Sequence, residues 1–348
     1  MEIVPIEVRL EGRPTGPAGL HPHEVLMLSY ASRFTTASRN FQGFWWYQYG
    51  VSDPHALLTD LAARGFLSTG TVEQTVQAQT VATLKELLRA HQLMVTGTKS
   101  SLMQRVMTSI SADSLNKQFP ERYYSLTTTG TDALISSPQI PYIHHHPNMV
   151  TLNIFTVDDA VGAYPGHWRD GIWRHLHERL VVEAVAGNWG HFRNCRLYMA
   201  NFVAEDSRYV EAIIALADVV YLDLSGMGNN FSLEHLDIAA GSLFPYERSL
   251  ATLAPGVVSL IFDWAGRVHL DDADLWQLLH DRIALMGSPL RLFTAEQIVS
   301  IVFLERDEAR TELTAVYRHA EQAFADTYRH QLAARSPVYE SDSPSAVL

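Results

Sequence analysis

A single cysteine, Cys195, among 348 residues leaves no second thiol for an internal disulfide, and a reducing cytoplasm is the compartment this predicts. Lysine is nearly as scarce: Lys85, Lys99 and Lys117 are the only three. No apolar run approaches the ~18–20 residues of a membrane span, so no membrane partner is expected. The first residues, Met1-Glu2-Ile3-Val4-Pro5, lack a basic stretch leading into an apolar one, and no secretory signal is expected. A charged fraction of 18% beside 47% hydrophobic residues excludes a disordered chain and predicts two or three folded domains.

The net charge of −12 excludes a protein that coats nucleic acid with its whole surface. Its distribution is uneven. Residues 1–135 hold 11 Lys+Arg and 11 Asp+Glu, whereas residues 136–348 hold 15 and 27. From Thr80 to Lys117 five basic residues face only Glu86 and Asp113, a local excess of +3 that contains all the lysines. A basic module on an acidic body can hold phosphate in one place and repel it elsewhere. A solvated pair of charged helices has the same composition.

Turn-forming residues fill Arg13-Pro14-Thr15-Gly16-Pro17-Ala18-Gly19 and close a leader over 1–19. Helices are predicted over 20–34 and 53–64, the second opened by Asp53 as N-cap with Pro54 behind it and stopped by Gly65. Phe66-Leu67 then begins a strand, Tyr123-Tyr124-Ser125-Leu126-Thr127 alternates like one, and 129–134 returns to helix. These pieces resemble the second half of a winged-helix domain, in which a recognition helix ends at glycine and the wing returns through a Y-x-L-T-x-x-G strand. The resemblance implies a winged-helix-like domain over 20–70 and 118–137, with residues 71–117 inserted at the wing tip.

Within that insert, Leu84-Lys85, Leu88, Leu93, Gly97, Lys99, Leu102 and Arg105-Val106 stand at the spacing of the SAP motif. The segment 80–111 resembles that family, which implies a helix–extended–helix module that binds duplex DNA, often A/T-rich. Val81, Leu84 and Leu88 would face inward from the first helix, Leu93 and Val95 from the link, Leu102 and Val106 from the second helix. The DNA-binding residues implied are Lys85, Arg89, Thr96, Gly97, Thr98, Lys99, Ser100 and Arg105. A helix N-terminus at Thr98, Lys99 and Ser100 would offer unpaired N–H groups and a positive dipole end to phosphate. Two positions depart from the family: Gln92 replaces the glycine after the first helix, and Ser101 replaces an acidic residue. A left-handed conformation at Gln92 would cost about 1 kcal/mol.

Other constellations carry less. His144-His145-His146 and His175-Leu176-His177-Glu178 invite a metal site, but only His175 and Glu178 have helical ligand spacing, so no metal or cofactor is expected. Gly226-Met227-Gly228-Asn229-Asn230 lacks the Lys-Ser/Thr of a phosphate loop and reads as a helix stop. Phe44-Trp45-Trp46-Tyr47-Gln48-Tyr49 fits core packing better than a stacking surface. Cys195 has no histidine–acid partner pattern, and no catalytic residue is assigned.

Residues 138–165, with Pro138, Pro141 and Pro147, read as a connector. Helices are predicted over 166–186, 189–204, 207–224, 232–243 and 271–286, with a long stretch over 294–334 broken near Glu305. They form an acidic helical domain over 166–335, a bundle or solenoid for protein contact or self-association, followed by a mobile tail over 336–348. The expected fold is mainly α, and the expected function is non-enzymatic DNA binding. A helical scaffold whose insert docks a protein, and a nuclease or other hydrolase with a histidine-rich site, are the alternatives.

Overall fold

The computed structural model describes residues 3–147, 151–162, 166–227, 241–287 and 290–335. The expected tail and most of the helix expected over 232–243 lie outside them. The protein is mainly α-helical, and its only strand pair among the described residues joins two three-residue strands. It divides into two units, Met1–Ile172 and Trp173–Leu348.

In the first unit, α1 (Ile6–Leu10) lies in the leader. Helix α2 (Pro22–Tyr30) starts with Pro22 in its first turn and with the His21 backbone N–H donating to Glu24 Oε2 at 2.6 Å. Nearly all of α2 is buried, so this helix is the centre of the base. An isolated antiparallel bridge at Thr35, α3 (Phe44–Tyr47) and α4 (Pro54–Ala63) follow. Asp53 caps α4 by accepting from the Ala56 N–H at 2.9 Å, and Gly65 stops it at φ 82. Strand β1 (Leu67–Thr69) pairs antiparallel with β2 (Tyr124–Leu126), Leu67 opposite Leu126 and Thr69 opposite Tyr124. The bridge from Thr35 reaches Tyr123, at the start of β2.

Behind β2, Thr127 caps α9 (Thr128–Ile135) by accepting from the Gly130 N–H at 3.1 Å. A Cβ on Gly130 would lie 2.1 Å from the Phe66 carbonyl oxygen, so only glycine lets α9 seat against the chain entering β1. That is the physical reason for the T-x-x-G end of the strand motif.

Residues 138–165 are more than a connector. They form α10 (Gln139–His145) and α11 (Val157–Val161), with Ile140, Ile143, Val157 and Val161 buried. Pro141 suggests a break, yet it is the third residue of α10, where its missing N–H would have no partner inside the helix.

Between β1 and β2 the chain makes four helices: α5 (Val72–Ala78), α6 (Val81–Ala90), α7 (Lys99–Ser109) and α8 (Ala112–Gln118). The two-helix reading of 80–111 thus captures only α6 and α7.

Helix α12 (Trp168–Val185) contains the division between the units. The second unit continues with α13 (Trp189–Ala204), α14 (Tyr209–Leu224), α15 (Pro255–Arg267), α16 (Asp272–Ala284), α17 (Ala295–Arg306) and α18 (Arg310–Arg335). Apolar residues line α14 from Ala212 to Leu224, and α13, α15, α16 and α17 all pack on it. One core around a central helix is a bundle, because in a solenoid each hairpin meets only its neighbours. Gly226, at φ 78 just beyond α14, ends that helix as a turn.

Candidate nucleic-acid interface

The insert has a core of its own. Val76, Leu84, Leu87, Leu88, Leu102, Val106, Ile110 and Leu115 are buried together, with Leu93, Val95 and Phe119 packed against them. Each of its four helices is started by a hydroxyl: Thr71, Thr80, Thr98 and Ser111 accept from the backbone N–H three residues on. The core positions expected from the motif are occupied as read, with one correction. Val81 is 40% exposed, because it is the first residue of α6, at the end of the helix beyond the buried Leu84 and Leu88.

The path from α6 to α7 is set by backbone geometry. The Gln92 N–H donates to the Arg89 carbonyl at 2.9 Å and the Leu93 N–H to the Leu88 carbonyl at 2.8 Å. This is the Schellman pattern, which needs a left-handed residue between helix and link. Gln92 supplies it at φ 56, although it is not glycine. Leu93 and Val95 then turn inward while Met94 and Thr96 stay exposed. Gly97 adopts φ 127, a conformation that side chains rarely take.

Arg105 plays a part that its spacing did not reveal. Its Nη1 donates to the carbonyls of Met94 at 2.6 Å and Thr96 at 3.1 Å, fastening the link across the start of α7. As a phosphate contact it is therefore partly committed, and reversing its charge would break the link as well.

The other cations are free. Lys85, Arg89, Lys99 and Lys117 have no hydrogen-bond or ion-pair partner among the described residues. Lys85 and Arg89 stand one turn apart on α6, and Lys99 opens α7 beside exposed Ser100. Thr98 satisfies the N–H groups of Ser101, at 3.3 Å, and Leu102, at 3.0 Å. The N–H groups of Lys99 and Ser100 are left directed outward, next to the Lys99 ammonium.

Helix α4 offers nothing comparable. Its exposed positions are Ala56, Thr59, Asp60 and Ala63, and Arg64 beyond it is bound to Glu24 and to Asp60.

The remaining constellations resolve into packing. His144 lies between the hydroxyls of Tyr30, 2.8 Å from Nε2, and Tyr49, 2.6 Å from Nδ1. Burial, helped by neighbouring His145, lowers its pKa to about 4. Among the described residues no three His, Cys, Asp or Glu side chains converge on a metal position. Cys195 is buried, and burial beside Glu183 pushes its thiol up to about 11, the opposite of an activated nucleophile. A cleft of about 710 Å³ between the leader and α11 is lined by Arg13, Gln139, Phe155, Asp158 and Asp159. Its polar groups already answer one another: Gln139 donates to Asp158 at 2.8 Å, and Arg13 donates to the Phe155 carbonyl near Asp159. No helix among the described residues is long and apolar enough to cross a membrane.

No family model matches this chain, and neither curated proteins nor solved structures give a significant match to it.

Proposed function

We propose that the protein binds duplex DNA through the four-helix insert, in the manner of a SAP module carried on a winged-helix-like base. The observation that carries this reading is the set of unpaired cations, Lys85, Arg89 and Lys99, on a separately cored element whose α7 N-terminus leaves two N–H groups without partners. Phosphate gains from both the charge and the helix end, and such contacts set position on a duplex rather than sequence. The order α2, bridging strand, α3, α4, β1, insert, β2 supports a winged-helix base with the insert at the wing tip. The bare face of α4 argues that this base does not read the major groove, since base recognition relies on Arg, Lys, Asn and Gln. The second unit serves protein contact or self-association in this reading, supported by exposed Val181, Val182 and Val185 on α12.

A salt titration of duplex binding with the Lys85→Glu/Lys99→Glu variant tests the proposal. Two lost phosphate contacts should lower the slope of log affinity against log salt by roughly 1.8, and affinity should fall at least about tenfold. Neither lysine has a partner to lose, so thermal stability should hold. Unchanged affinity and slope would remove the insert as the DNA site and leave the protein-docking reading.

A further inference from the structure

The aromatic run after the bridging strand is divided between two environments. Trp45 and Tyr49 are 1% exposed and belong to a ring cluster with Tyr30, Phe44 and His144. Trp46 and Tyr47, from the same single turn of helix, are 50% and 64% exposed. Two large rings are thus held out to solvent by two that are locked inside. Tyr47 lies back over Gly43, where an added Cβ would come within 3.3 Å of its ring carbon. Gly43 therefore leaves room for the ring to lie there.

The charge along this stretch of chain is one-sided, and a carboxylate reaches it from elsewhere at Glu121, which accepts from the Thr35 hydroxyl at 3.2 Å. Residues 25–52 contain no Asp or Glu, in a chain of net charge −12. Arg33 and Arg39 are exposed and have no carboxylate partner among the described residues. Arg33 sits over the Tyr30 ring, 4.6 Å from its centroid, and Tyr30 packs edge-on against Phe44 and Trp45. Arg39 donates to the Ser38 carbonyl and leans on His55, at the start of α4. The amides of Asn40, Gln42 and Gln48 complete the exposed rim.

We propose that Trp46 and Tyr47 form a base-stacking platform for single-stranded nucleic acid, with Arg33 and Arg39 taking the backbone phosphates. Exposed rings on a stretch of chain that carries cations and no acid of its own match the chemistry of sequence-tolerant single-strand binding. A duplex keeps its base faces inside the stack and does not suit this surface. A protein partner that buries two aromatic residues needs neither Arg33 nor Arg39. The platform is separate from the insert and does not depend on duplex binding there.

The test uses the full chain and a fluorescent oligothymidylate, read by anisotropy at fixed salt. Trp46→Ala/Tyr47→Ala should weaken binding by about tenfold or more, and Trp46→Phe/Tyr47→Phe should restore most of it, because any ring offers a stacking face. An abasic oligomer of equal length should bind the parent as weakly as the oligothymidylate binds the alanine variant. Duplex affinity should be unchanged in the alanine variant, while Lys85→Glu/Lys99→Glu should leave oligothymidylate binding intact. Equal binding of oligothymidylate and the abasic oligomer, or no loss in the alanine variant, overturns the proposal. A parent that dimerises, binds no oligomer, and becomes monomeric in the alanine variant assigns the rings to a second copy and overturns it too.

Discussion

The insert and the helical bundle of the second unit use cations in opposite ways. In the bundle, most arginines are spent on carboxylates. Arg193 grips Asp223 with two bonds of 2.8 Å, Arg196 and Arg282 converge on Asp218, Arg267 pairs with Asp263, and Arg306 bridges Asp272 and Asp307. In the insert, Lys85, Arg89, Lys99 and Lys117 answer to nothing, and all three lysines of the chain are there. The planar fork of arginine suits fixed, bidentate internal pairs, whereas an ammonium on a flexible stem suits an exposed phosphate. Net charge hides this contrast: the bundle's paired arginines are too committed to recruit an anion, whereas every insert cation but Arg105 is available.

The sharpest break in the comparison is expected at Asp218. It is 1% exposed and accepts from Arg196 at 2.6 Å and from Arg282 at 2.6 and 2.8 Å. Asp218→Ala leaves two guanidinium groups facing a buried gap, a loss of about 3–5 kcal/mol by the usual behaviour of a broken buried pair. Urea unfolding of the second unit should register it, with duplex affinity unchanged at a temperature where the variant is folded. A loss under about 1 kcal/mol would mean that the pairs are no more committed than the insert's free lysines.

Acid should separate the base of the first unit from the insert. Burial lowers His23 from 6.5 to about 4, and His144 shifts the same way. The folded state resists the proton more than the unfolded chain, so stability is complete above pH 6.5 and is lost as pH falls toward 4. For His23 the loss amounts to about 3 kcal/mol at most. The insert's core contains no histidine and should not share this slope. Unfolding midpoints at neutral and mildly acid pH would show it, and His23→Gln should flatten the dependence.

A smaller effect is expected at Arg105, the one insert cation that behaves like those of the bundle. Arg105→Ala removes two charge-assisted bonds to the Met94 and Thr96 carbonyls, both partly reachable by water. A cost of about 1–2 kcal/mol, confined to the insert, follows. Faster amide exchange over residues 93–98 with an unchanged bundle is the expected result.

These contrasts were unequally legible in the sequence. Leu84, Leu88, Leu93, Leu102 and Val106 announced the insert's core because their periodicity is local, and Asp53-Pro54 announced α4 because caps act within one turn. The predominance of helix followed from the same local signals. Helices α5 and α8 escaped notice because seven-residue helices carry little periodicity, and α10 because Pro141 read as a breaker. Pairing was invisible for a different reason. Which of the many acidic residues meets Arg196 or Arg282 depends on packing between helices far apart in the chain, as does the commitment of Arg105 to a link nine residues away. The division of the Trp45–Trp46–Tyr47 run was equally hidden, since a single helical turn shows no face until something packs on it.

The smallest expected effect, at Gln92, carries the opposite sign. The residue occupies the left-handed position that closes α6, at φ 56, with both Schellman hydrogen bonds formed and Leu93 packed into the insert core. A side chain in that conformation costs about 1–2 kcal/mol. Glycine removes the cost but gains conformational freedom in the unfolded chain, which returns part of the benefit. Gln92→Gly should therefore stabilise the insert by about 0.5–1 kcal/mol, seen as slower amide exchange in α6 and α7 without a change in the bundle. Gln92 is exposed and has no charge, so duplex affinity should stay the same. If the substitution destabilises the insert, the glutamine side chain supports the turn by a contact of its own, and the departure from the family's glycine is an adaptation rather than a tolerated strain.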